Sequence, residues 1–146
     1  MKLRQLLAIL VVMVAIASCT CRKPTLSDKL TGKWSGDNFI EITMVSNSGN
    51  TVIQEFNSPI EIEYFADSTF TAVITVSENN FMKMGGNATF TDSTALLTGS
   101  LSCQIMLNLK GKMSLNEDGT MNFNYKAENP TEGLFHNGQV VANPVK

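Results

Sequence analysis

LSCQIMLNLK, Leu101 to Lys110, is the stretch on which the reading of the fold turns. Leu101, Cys103, Ile105, Leu107 and Leu109 are apolar at odd positions, with Ser102, Gln104, Asn108 and Lys110 between them. Successive side chains of a strand point to opposite faces, so a period of two marks a half-buried β-strand. An amphipathic helix would repeat its apolar residues every three or four instead. The odd parity resumes at Met121, Phe123 and Tyr125, set against Asn122, Asn124 and Lys126. Upstream, Ile60, Ile62 and Tyr64 alternate with Glu61 and Glu63, and Ile40, Ile42 and Met44 alternate with Glu41 and Thr43. Strands are predicted almost throughout, and no helix.

Between strands one turn recipe recurs: Ala66-Asp67-Ser68-Thr69-Phe70, Thr91-Asp92-Ser93-Thr94-Ala95 and Glu117-Asp118-Gly119-Thr120-Met121. An Asp carboxylate hydrogen-bonds the backbone two residues on, and Ser or Gly tolerates the bend, so each is a predicted hairpin corner. The aspartates are spaced by two strands and two turns. Consecutive hairpins with short links make an antiparallel up-and-down meander of about eight strands. A sheet of that size removes its edges by closing, so the predicted fold is an all-β closed barrel, with a two-sheet β-sandwich as the alternative. The tail from Asn129 to Lys146 offers a closing strand at Gln139 to Ala142.

The start of the chain follows another logic. Lys2 and Arg4 make it positive, and Leu6 to Ala17 is an uncharged apolar run. That run is short of the roughly 20 residues a permanent membrane-spanning helix needs, and its anatomy is that of a secretory signal. Ile16-Ala17-Ser18-Cys19 resembles the lipobox of bacterial lipoproteins. The resemblance implies that residues 1–18 are a removed signal and that Cys19 carries diacylglycerol on its sulfur and an acyl chain on its amine. Residues 19–28 are then the lipidated cysteine and its tether, and 29–146 a single β domain. A plain secretory signal or a retained anchor are the alternatives. Several acyl chains hold a protein to a membrane where one is marginal, at about 0.8 kcal/mol per buried methylene. Thr20 stands where an Asp would imply inner-membrane retention, and Arg22 and Lys23 where acidic residues would imply export to the surface. Outer-membrane anchoring on the periplasmic face is the expectation.

Leu30 to Trp34, LTGKW, comes just ahead of the first strand, and Gly32 and Trp34 resemble the Gly-x-Trp opening of the lipocalin and avidin group of barrels, the calycin type. The resemblance implies that Trp34 closes one barrel end. It also implies an interior able to hold a small apolar or amphipathic ligand, with Trp34, Ile62, Tyr64, Phe70 and Ile105 as candidate lining. The chain departs from the group in two places. No Arg follows Arg22 to pack over the tryptophan as in lipocalins, and Trp34 is the sole Trp, so the avidin biotin set is missing. A plain core anchor is the other reading of Trp34.

Conventional chemistry is sparse. The 11 Lys and Arg residues are spread along the chain and outnumbered by 13 Asp and Glu, against the clustered basic surface that nucleic acid needs. His136 is the sole histidine and sits in the loop-like Leu134 to Gly138, so neither a His-Cys metal cluster nor a His-centred triad has its parts. No cofactor, metal or catalytic residue is assigned. Glu61 and Glu63, about 6 to 7 Å apart on one strand face, are compatible with a glycosidase pair but equally with a solvated outer wall. Cys103 reads as a small core residue, and a bridge to Cys21 stays open. Phe81, Met82 and Met84, between Asn80 and Gly86, are a candidate portal loop. Strand-end packing and a thioether metal site are the alternatives there. Asp67-Ser68-Thr69 and Asp92-Ser93-Thr94 resemble a bacterial O-glycosylation acceptor motif, making Ser68 and Ser93 candidate acceptors. Two functions follow: a lipid-anchored carrier of a small apolar ligand, or a non-catalytic envelope accessory protein with a filled barrel and a protein partner.

Overall fold

The computed structural model describes residues 23–146; the signal segment, Cys19 and Cys21 lie outside the described residues. Strands β1 (Gly32–Val45), β2 (Thr51–Tyr64), β3 (Thr69–Ser77), β4 (Asn80–Phe90), β5 (Thr94–Ser102), β6 (Met106–Leu115), β7 (Met121–Asn129) and β8 (Leu134–Pro144) follow in chain order. Each pairs antiparallel with the next, and β8 returns to β1, with Trp34 opposite Pro144 and Met44 opposite Leu134. That ladder closes an eight-stranded up-and-down barrel and removes the sandwich alternative. The predicted closing strand at Gln139 to Ala142 is the centre of β8.

Leu101 to Lys110 is where the linear reading and the fold part. The chain does not run straight: it turns at Cys103–Ile105, and Leu101 comes to lie opposite Leu107 and Ser102 opposite Met106. Paired residues on the two sides differ by an even number, so the alternation passes through the hairpin unbroken and hides the bend. One residue marks it. Met106 is apolar on the polar parity, and it is 58% exposed as the first residue of β6.

The three Asp-containing corners join β2 to β3, β4 to β5 and β6 to β7, so all lie at one end of the barrel. Asp67 Oδ1 accepts from the Thr69 N–H at 3.0 Å and its hydroxyl at 2.6 Å, and Asp118 Oδ1 accepts from the same groups of Thr120 at 2.9 and 2.7 Å. These bonds favour the ionised form and hold both carboxyls below the ordinary carboxylate value. The middle corner uses Thr91 instead, whose hydroxyl accepts from the Thr94 N–H at 3.2 Å. Inside each Asx turn the residue that follows the Asp is left-handed, Gly119 at φ 84° and Ser68 at φ 68°. A Cβ is unfavourable there. Ser68→Gly is therefore expected to stabilise the barrel by about 1 kcal/mol, read as a shift in urea midpoint, and an unchanged or lower midpoint would contradict the strain.

A short helix, α1 (Leu26–Leu30), stands where the sequence predicts none, and it takes in residues 26–28 of the expected tether. Its capping box explains it. The Thr25 N–H donates to Asp28 Oδ2 at 2.8 Å, and the Asp28 N–H donates to Thr25 Oγ1 at 3.3 Å. Leu30 is fully buried, and the Trp34 indole N–H donates to the Leu30 carbonyl at 2.8 Å, satisfying one of the orphan acceptors of the helix end.

Candidate functional site

Inward positions of the barrel carry Ile62, Tyr64 and Phe70, each buried, together with Trp34 under α1. Four rings form a chain across the interior from β3 through β7 to β8. Phe70 and Phe123 meet edge to face at 6.4 Å, Phe123 and Tyr125 lie 5.1 Å apart, and Tyr125 stacks on His136 at 5.6 Å. Tyr64 meets Phe90 edge to face at 5.8 Å. Glycines make the room. Both cross-strand partners of Tyr125 are glycine, Gly111 on β6 and Gly138 on β8. A Cβ on Gly111 would lie 2.7 Å from the Phe123 ring, and one on Gly138 would land on the ring of Tyr125. Ile105 does not join this set: it is half-buried in the β5–β6 turn, at the end away from α1.

His136 is not a turn residue but a buried member of β8, 2% exposed, on the inward parity of Gly138, Val140 and Ala142. That parity was the available signal. Neither ring nitrogen has a partner among the described residues, and burial pulls the imidazole down from 6.5 to about 4, so it is neutral at pH 7. Asn38, also fully buried, donates from Nδ2 to the Tyr125 hydroxyl at 2.8 Å while its Oδ1 is unpartnered among the described residues. The Tyr64 hydroxyl, without a partner among the described residues, is pushed up to about 12 by burial and by the charge of Asp67.

Phe81, Met82 and Met84 belong to β4 rather than to a loop, since the turn before them is only Glu78–Asn79. Met82 and Met84 point inward and are buried, whereas Phe81 is exposed. Gly85 and Gly86 lie within the strand. Gly86 lets β5 approach so closely that its Cβ would be 2.7 Å from the Cα of Gly99. Ser68 is half-buried and Ser93 exposed, both in corners at the α1 end, and Cys103 is half-buried in the β5–β6 turn. Glu61 and Glu63 face the outer wall, beside Lys33 and Thr71.

Away from α1 the barrel rim is apolar and exposed at Val52, Ile53, Phe81 and Met106. Here β2 leaves β3. Their ladder covers only Ile60–Tyr64 against Phe70–Ile74, and Thr51–Pro59 pair with β1 alone.

A groove of about 1040 Å³ lies outside, across β5 to β8 and β1. Its lining includes Gly99, Gly111 and Gly138, places where an inward side chain is absent and the wall is thin. Register builds a polar belt over it: Thr98 opposite Lys110, Lys110 opposite Lys126, Lys126 opposite Asn137 and Asn137 opposite Glu41. A parallel row runs Lys112, Asn124, Gln139, Phe39. Sequence reasoning missed this basic cluster because its lysines are spaced along the chain, and only strand register brings them together.

No protein-family profile and no curated protein matches the chain. Among solved structures it is similar to a redesigned β-barrel at 17% sequence identity and a TM-score of 0.46, over 78% of this chain and 91% of that one.

Proposed function

We propose that this chain is a lipid-anchored cell-envelope lipoprotein whose lipocalin-like barrel is a non-catalytic accessory or interaction module, filled inside and working through its outer surface. The ring chain supports this reading. The positions a carrier would use as lining, Ile62, Tyr64 and Phe70, are buried among the protein's own side chains. Acyl chains on Cys19 hold the domain to the periplasmic face of the outer membrane. Seven residues from Cys19 to Thr25 reach at most about 25 Å. The α1 end, with the candidate glycosylation sites Ser68 and Ser93, therefore lies nearest the lipid, and the apolar rim points away.

Native mass spectrometry of the protein extracted from membranes tests this. The expected result is a chain starting at an acylated Cys19 with no copurifying small molecule, and Cys19→Ser should leave the membrane fraction. A stoichiometric apolar adduct would sink the filled-barrel reading. It would instead favour a carrier that seats its ligand at the apolar rim above the unpartnered Asn38 and His136 atoms. Excess mass beyond the lipid, lost in Ser68→Ala or Ser93→Ala, would identify glycosylation.

A further inference from the structure

We infer that the outer groove across β5 to β8 and β1 binds an acidic glycan, a saccharide bearing carboxylate or phosphate groups; the inference rests on the reading that the outer wall is the working surface. The like-charge register carries it. Lys110 and Lys126 are direct cross-strand partners, and Lys112 lies two residues along the same face. Like charges placed opposite one another repel, yet none of the three lysine side chains has an ion pair or hydrogen bond among the described residues. An anion seated between them would remove that repulsion. Glu41 and Glu128 also line the groove, opposite Asn137 and Asn108, so the positive charge is confined to its centre.

The rest of the lining selects a sugar over other polyanions. Asn124 and Gln139 each offer donors and an acceptor, as hydroxyl groups require. Asn137 is oriented by its Nδ2 donating to Glu41 Oε1 at 2.9 Å, which leaves its Oδ1 available. Phe39, 41% exposed and opposite Gln139, presents an apolar ring against which a pyranose face can lie. The strands beneath are paired on both sides, so the groove offers no free ladder to an extended peptide. Five strands at about 4.8 Å spacing give a track of roughly 19 Å, long enough for several sugar units across the strands.

Titration calorimetry on the full chain in detergent at 0.15 M salt decides the matter, with hexagalacturonate and a phosphomannan oligomer as acidic probes. Maltohexaose, polyglutamate and duplex DNA serve as controls. At least one acidic probe should bind, and which one binds identifies the acid. Binding should fall by about tenfold or more in K110Q/K126Q and several-fold in Phe39→Ser, both changes being on the surface. Maltohexaose, polyglutamate and DNA should all bind at least about tenfold more weakly than the acidic sugar. The salt dependence of stability gives a second readout: wild type should melt higher as salt rises, and K110Q/K126Q should lose that gain. Polyglutamate or DNA binding as tightly as the acidic sugar would overturn the inference, as would an unaffected K110Q/K126Q or no acidic sugar bound at millimolar concentration. An interior that stays empty in native mass spectra after such a failure would leave the filled-barrel reading standing.

Discussion

Gly138→Ala is expected to destabilise the barrel by on the order of 3 kcal/mol, an unusually large effect for one methyl group. The added Cβ falls on the ring of Tyr125, which cannot move aside within its own layer because Phe123 lies against it at 5.1 Å and His136 stacks on it. Overpacking of this kind costs about 1–3 kcal/mol. Swinging the ring away also breaks the Asn38 bond to the Tyr125 hydroxyl and leaves the buried Asn38 side chain with no partner, which adds about 1–3 kcal/mol. Urea unfolding measures the sum. A double-mutant cycle with Tyr125→Leu tests the cause, since most of the penalty should vanish once the ring is gone. A Gly138→Ala midpoint equal to wild type would mean that the ring does not pack on that glycine.

Acidification should weaken the fold between pH 6.5 and 4 through His136. The unfolded chain takes up a proton near 6.5, whereas the buried imidazole resists it until about 4. In that window the unfolded state binds more protons, so stability is complete above pH 6.5 and falls as pH drops towards 4. At about 1.4 kcal/mol per pH unit the loss amounts to up to about 3 kcal/mol. Asp67 and Asp118, whose carboxyls are held low by their threonine partners, add their own loss only below the ordinary Asp value. Denaturant titrations at pH 7 and 4.5 measure the slope. His136→Leu should flatten it and raise stability at the lower pH, because two unpartnered buried nitrogens are removed. A wild-type slope retained in that variant would assign the acid sensitivity elsewhere.

Much of the barrel is legible along the chain because its alternation is local. Ile60, Ile62 and Tyr64 on β2, and Met121, Phe123 and Tyr125 on β7, face inward as their parity requires. The Asp corners at residues 67 and 118 are legible for the same reason, being bonds between residues two apart. Two features resist such reading. The β5–β6 bend is masked because a hairpin with this register preserves parity, and only Met106 departs from the pattern. Helix α1 is too short to show a period, and its signal was the pair Thr25 and Asp28 three residues apart.

The candidate surface stands at the other extreme. Nothing along the chain ties Lys110 to Lys126, Phe39 to Gln139 or Gly138 to Tyr125, since each pair meets only through strand register or barrel closure. By itself, the sequence determined the all-β class, the inward set of side chains and the corners at one end, because periodicity and turn chemistry act between near neighbours. Tertiary structure alone decided that the interior is occupied by the protein's own rings, that the His136 ring nitrogens find no partner among the described residues, and that three lysines share one groove. Those outcomes depend on which strands become neighbours and on the volume left between facing walls, and neither quantity is written in any local stretch of the chain.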